Sequence, residues 1–246
     1  MTRFPDPDRP NLLARLEVRC RAEPDPQITR LRGAIPRRRT DRRGFAATPV
    51  PPATLSHFQA VAEAEGCALH VIEGDQMATL TMAAAEAAAL ELADPAYRAQ
   101  LSEWTDRPPG SDDGVPTATA AQSRERPILV RDFAPDAQSG PGPGEGDDSG
   151  ATYAILYGAD DDPQAWLSAG EALSAILLTA VLEKVGVSPM SDVLEVNEPR
   201  ELVRRLLPYG HPYLGLRLGV PATTEAPART PRRRADKVVR FDGSRP

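Results

Sequence analysis

The sequence predicts a layered domain of the α+β class, and three observations carry that prediction. Strand-like and helix-like segments alternate along the chain, and alternating elements bury their apolar faces by stacking in layers. "ATYAILYG" (151–158) is dense in apolar residues, as a strand covered on both faces would be. The segment after it, "DPQAWLSAGEALSAILLTAVLEKVG", is apolar almost all round between Leu173 and Val185, and such a helix belongs in a core or a subunit interface.

The elements follow in order. Residues 1–30 read as irregular and proline-punctuated, with the "LEVRC" end of one apolar stretch as a candidate edge strand. In "ITRLRGAIPRRRT", Ile28, Leu31 and Ile35 recur at helical spacing until Pro36 interrupts. "PPATLSHFQAVAEAEG" reads as a helix capped by Thr54, with Leu55, Phe58, Val61 and Ala62 on one face and Gly66 as its stop. "CALHVIEG" is a short strand. "DQMATLTMAAAEAAALELA" is an alanine-rich helix opening at an Asp cap. In "PAYRAQLSEW", Tyr97, Leu101 and Trp104 share a helical face. Loop composition then dominates, with "RPILVRDF" as a possible short element and Ala134–Gly150 expected to be mobile. Asp162 is placed to cap the long apolar helix and Pro163 to occupy its first position. "SPMSDVLEV" is strand-like, "EPRELVRRLLP" a short amphipathic helix, "HPYLGLRLG" a last strand and "TPRRRADKVV" a basic tail. The expected organisation is an irregular segment over 1–30, one domain over 31–240 and a tail over 241–246.

Composition narrows the function classes. The 246 residues carry a net charge of −6, which argues against a general nucleic-acid or membrane-surface binder. No run is read as approaching the roughly 18 apolar residues of a bilayer span, and the first thirty residues hold no apolar signal-peptide core. Cys20 and Cys67 lack metal spacing and read as reduced thiols of a cytoplasmic protein.

Against that acidic background stands "PRRRTDRRGF" (36–45), with Arg37, Arg38, Arg39, Arg42 and Arg43 in one short run. A solvated charge run, a nucleic-acid patch and a phosphate cradle are the three readings. All five cations are arginine, whose rigid fork matches phosphate oxygens in pairs, and Thr40 adds a hydroxyl. A second all-arginine cluster, Arg232–Arg234, lies near the other end, and a shared anion would relieve the repulsion between the two. Nucleic-acid recognition asks for interleaved aromatics, and only Phe45 is near.

"RRTDRRGF" resembles the "RRT-D-RR-x-F" signature of the nitroreductase superfamily, in particular its Acg-type branch. "LSEWT" with "DDGVP", "DDPQAWLSAGEAL", "HPYLGLRLG" and "TPRRRADKVV" are similar to further family segments, so the resemblance covers most of Leu31–Val239. It implies a nitroreductase-like fold: a central mixed sheet flanked by helices around a long buried central helix. It also implies FMN as cofactor, held at its phosphate by Arg38, Arg42 and Thr40, with Arg39, Arg232 and Arg234 as further candidates. NAD(P)H and a small-molecule electron acceptor would be the partners, with neither nucleic acid nor membrane involved. No catalytic acid or base stands out. In one respect the sequence departs from the family, for the "PS-x-H-N-x-Q-P-W" loop of Acg-type proteins is not found in it. The expectation is a chain that starts after a first half, with three readings open: a start site placed too late, a short protein that pairs with another chain, or a decayed remnant. Its partner would be that half or a twin.

The remaining polar residues suggest bland roles. His57, His70 and His211 have no metal-ligand companions, so no metal is expected. "GPGPGEG" neither follows a strand nor opens a helix, which rejects a dinucleotide fingerprint. Asp160–Asp162 fit a helix start. Three functions stay open: an FMN-dependent oxidoreductase acting on nitro or quinone acceptors, a non-catalytic FMN-storage protein, and an interaction module without a flavin.

Overall fold

The structure is a computed structural model, and it describes residues 1–17, 23, 25–105, 107–108, 110–115, 126, 128 and 144–240. Cys20 and most of "RPILVRDF" lie outside those residues.

A two-residue hairpin, β1 (Thr2–Arg3) with β2 (Ala14–Arg15), opens the chain, so the pairing falls just before the "LEVRC" stretch. Helix α1 (Pro26–Ala34) starts inside the segment expected to be irregular, because Asp25 accepts hydrogen bonds from the amides of Gln27 and Ile28 and Pro26 sits at the first position. Pro36 then tightens the chain into a 3₁₀ turn, Ile35–Arg37. The predicted apolar stripe of α1 is not its buried face: Ile28 and Ile35 are exposed, and only Ala34 is buried.

Helix α2 (Pro52–Ala64) begins at Pro51, and Thr54 lies inside it rather than at its cap. Phe58 and Ala62 are its buried residues, and Gly66 at φ 78° ends it in the left-handed region that glycine tolerates. Strand β3 (Ala68–Val71) leads to α3 (Gln76–Ala93) and α4 (Pro95–Thr105). Asp75 stands at the start of α3 but its side chain makes no capping bond.

Strand β4 (Thr152–Gly158) divides the core. Ala154 and Leu156 join the cluster under α2 and the long helix, while Tyr153, Ile155 and Tyr157 join the cluster under α3. Alternation along one strand therefore builds two apolar layers. Helix α5 (Pro163–Glu183) follows, with Asp162 accepting from the amide of Ala165 at 2.8 Å. By length and composition alone α5 is apolar enough to cross a membrane, a test that core helices also pass. It packs instead against α1, α2, β4 and β5 (Gly186–Met190). In its most apolar window 28% is fully buried and most of the remainder is half-buried, with Trp166, Gly170 and Ser174 exposed.

The strand-like "SPMSDVLEV" resolves into the end of β5 and a single helical turn, α6 (Asp192–Glu195). Pro189 donates no backbone hydrogen bond, and β5 is accordingly an edge strand. Helix α7 (Asn197–Arg204), strand β6 (His211–Gly219) and the short α8 (Ala235–Val238) complete the chain. The main sheet runs β3-β4-β6-β5. The class is α+β as expected, but among the described strands every pairing is antiparallel where a mixed sheet was anticipated. The reason is topological: β4 and β5 run the same way around α5, and β6 inserts between them, antiparallel to both.

Gly144–Gly150, the described end of the stretch expected to be mobile, lies against the arginine segment. Gly146, Asp148 and Gly150 are buried against residues 43–47, and the packing leaves no room for a Cβ at Gly146 or Gly150.

Candidate cofactor-binding site

Beyond the 3₁₀ turn the arginine segment leaves helical geometry and is fastened to the sheet. Asp41 N donates to Val187 O at 3.0 Å, Ala46 N donates to Val220 O at 2.9 Å, and Phe45 bridges to Pro221. The Phe45 ring is fully buried in the space that two glycines leave open: a Cβ on Gly219 would lie 2.3 Å from it, and one on Gly186 2.5 Å. These glycines explain how an aromatic ring reaches the strands.

A buried charge cluster fixes the backbone of the same segment. Arg217, on β6 and with no exposed surface, donates through Nη2 to the carbonyls of Asp41 and Arg43, each at 3.0 Å. Its Nη1 bonds Asp148 Oδ1, which also accepts the amide of Phe45 at 2.7 Å. Arg126 approaches the other oxygen of Asp148 at 3.4 Å. The Arg217 guanidinium stacks over Phe45 at 4.2 Å. Burial pulls the Arg217 pKa below its ordinary value, and the neighbouring Asp148 pulls it back up. Sequence reading passed over both residues. The signal was present in "LGLRLG", where a lone arginine interrupts an apolar strand, and it needed an acidic partner that composition had assigned to a mobile loop.

The expected site residues differ in their surroundings. Arg38 is half-buried, and its pKa is lowered by burial first, then by the charges of Arg232 and Arg39. Arg38 and Arg232, from opposite ends of the chain, therefore lie within electrostatic reach of each other. Among the described residues no carboxylate pairs with Arg38. Arg232 spends Nη1 on Thr230 Oγ1 at 2.6 Å and Pro231 O at 2.8 Å, and it too meets no carboxylate among them. Thr40 and Arg42 are half-buried on the same segment.

Arg39 is held through Nη1 on Pro36 O and Arg38 O. It lines a cavity of about 440 Å³ together with Arg37, Asp41 and Arg43. Within that set Arg43 forks onto Asp41, Nε to Oδ1 at 2.9 Å and Nη2 to Oδ2 at 2.8 Å. Arg234 is exposed and pairs with Asp236 at 3.1 Å. The arm that carries Arg232 is held at "DDGVP": Arg233 pairs with Asp113, and Lys237 Nζ bonds Asp112 Oδ2 at 2.7 Å. The Lys237 bond lowers the pKa of Asp112.

The chemistry of this donor set suits a phosphate. Two like charges held near one another, one of them partly desolvated, are stabilised by a dianion that accepts from both forks.

Solved structures that the chain resembles include FMN-dependent nitroreductases. The chain is similar to the FMN-dependent nitroreductase NfnB from Mycobacterium smegmatis, solved in complex with NADPH, with a TM-score of 0.54 and 15% identity over 88% of this chain and 99% of that one. It is also similar to a nitroreductase with bound FMN from Bacteroides fragilis, at TM-score 0.53 and 12% identity over 86% of this chain and 98% of that one. At these identities the likeness is one of fold. No family model matches the chain. Its sequence is 35% identical over 246 residues to "Putative NAD(P)H nitroreductase Rv3131" of Mycobacterium tuberculosis, covering 98% of this chain and 70% of that protein. It is 32% identical over 244 residues to "Putative NAD(P)H nitroreductase acg" of the same organism, covering 96% and 72%. The chain belongs to the nitroreductase superfamily, in the branch that includes Acg.

Proposed function

We propose that the chain holds FMN by its phosphate, with Arg38, Thr40, Arg42 and Arg232 as the binding residues, and acts as an NAD(P)H-dependent oxidoreductase on nitro- or quinone-type acceptors. One observation supports the reading: Arg38, half-buried and paired with no carboxylate among the described residues, lies within electrostatic reach of Arg232 from the other end of the chain. Arg39 and Arg234 are left out of the binding set, because Arg39 lines the cavity with Arg37 and Arg43 and Arg234 pairs with Asp236. Bound FMN would supply the redox chemistry, and the protein residues would orient its phosphate. A cytoplasmic setting, and pairing with a second copy through the open surface of α5, belong to the same proposal.

Flavin titration tests it. Losing one charge-assisted hydrogen bond to a phosphate costs about 1.5–3 kcal/mol, so Arg38→Ala and Arg42→Ala should each weaken FMN binding roughly ten- to hundredfold. Unchanged affinity in both variants would overturn the assignment. A yellow protein that leaves NADH and NADPH unconsumed would replace the enzyme reading with one of FMN storage.

A further inference from the structure

A cavity beside the arginine segment carries an assignment of its own, independent of FMN. Arg37, Arg39, Asp41 and Arg43 line a cavity of about 440 Å³ whose far wall is the end of α5, with Val181, Lys184 and Val185. A pocket of this size accommodates a nucleotide-sized ligand. Four cations face it, against two carboxylates, Asp41 and Glu225. The Asp41 carboxylate is taken up by the fork of Arg43.

Two of the other cations are braced with donors to spare. Arg37 uses Nε on Gly33 O at 3.1 Å, which leaves both terminal nitrogens. Arg39 uses Nη1 on Pro36 O and Arg38 O, at 2.9 and 2.7 Å, which leaves Nε and Nη2. Neither forms an ion pair among the described residues. A guanidinium already held in place loses little freedom on binding an anion. The third is Lys184, which closes α5 at φ 58° and ψ 32°, the left-handed position where glycine is the usual residue. The helix dipole favours a cation near this end, but it does not require a side chain at this backbone conformation. A strained residue that persists at a cavity wall points to what its side chain does there. Val181 and Val185 add apolar surface beside the cations.

We propose that this cavity is a second anion site, which takes a phosphate monoester carried on a heterocyclic body, of the nucleoside monophosphate class. The phosphate sits among Arg37, Arg39 and Lys184, and the base lies against Val181 and Val185.

Lys184→Gly separates ligand binding from folding. It removes the ammonium and at the same time relieves the left-handed backbone, so the variant should be at least as resistant to urea as the parent. Calorimetric titration with AMP should show binding to the parent chain and a loss of about tenfold or more in Lys184→Gly and in Arg39→Gln. Arg38→Ala, which strikes the FMN site, should leave AMP binding within twofold. Adenosine should bind at least tenfold more weakly than AMP. No AMP binding to the parent, binding that Lys184→Gly and Arg39→Gln leave unchanged, or adenosine bound as tightly as AMP would each overturn the proposal. If Arg38→Ala loses FMN but keeps AMP, the two sites are distinct; if FMN affinity is unmoved while Lys184→Gly loses AMP, only the flavin assignment falls.

Discussion

Asp148 is where stability and the site geometry meet, and replacing it tests both. It is one buried carboxylate shared by two buried arginines: Arg217 has no exposed surface and the Arg126 side chain is 6% exposed. Asp148→Asn leaves both guanidinium groups without their carboxylate. Breaking a buried ion pair by removing one partner costs about 3–5 kcal/mol, and two stranded cations place this variant at the upper end. Arg217→Met is gentler, because Asp148 and Arg126 remain as a balanced pair at 3.4 Å. Its main loss is two carbonyls, those of Asp41 and Arg43, at roughly 1–3 kcal/mol for each one left dry. The double variant strands only one cation, so the two changes should not add: its cost should fall short of the sum by about 2 kcal/mol. Urea unfolding of the four proteins measures that difference, and hydrogen exchange at the Phe45 amide, whose acceptor is Asp148 Oδ1 at 2.7 Å, reports whether the arginine segment has come loose. Additivity within about 0.5 kcal/mol, the behaviour of independent sites, would refute the shared-carboxylate account.

Two further outcomes follow from the same core. Gly219→Ala sets a methyl group 2.3 Å from the buried Phe45 ring, and overpacking of this kind should lower stability by about 1–3 kcal/mol on chemical denaturation. Burial, with the Asp148 charge adding, pushes the Tyr153 phenol up to about 12, from about 10 in an unfolded chain. Between those values the folded protein keeps a proton that the unfolded chain releases, so stability is intact below the lower value and falls as pH rises towards the higher one. Tyr153→Phe should flatten that alkaline loss, and phenolate absorbance in the parent should show Tyr153 ionising late.

What the sequence disclosed was what local pattern controls. Asp162 and Pro163 marked the start of α5, Gly66 the end of α2, and the apolar run at 151–158 the central strand, because capping, turn geometry and burial act over a few residues. The arginine segment stood out as a candidate anion site from residue type alone. Which of its side chains line the cavity at the end of α5 was not legible, since the path of the segment depends on bonds to Val187, Val220 and Arg217, distant in sequence. The Arg217–Asp148 pair stayed hidden for a related reason: a buried charge is recognisable only with its partner, and that partner lay in a Gly- and Asp-rich stretch resembling a solvated loop. Thr54 shows the limit at short range, where the two prolines before it moved the helix start upstream.

The convergence of Arg38 and Arg232 has a consequence that opposes the usual effect of deleting a site residue. In the flavin-free chain the two cations repel, and burial of Arg38 sharpens the penalty. Removing one charge should therefore stabilise the empty protein. Arg232 is exposed, so solvent screening limits the gain to the range of exposed charge pairs, about 0.2–1 kcal/mol. Arg232→Gln keeps a polar side chain able to bond Thr230 while discarding the charge. The expected pattern is a small rise in the urea midpoint without FMN, larger at low salt, together with a roughly tenfold loss of FMN affinity. An arginine that served only to brace the C-terminal arm would behave otherwise, since its loss would lower the midpoint and leave flavin affinity alone. Opposite signs in the two measurements are what a phosphate cradle requires, because a site built from like charges is strained until its anion arrives.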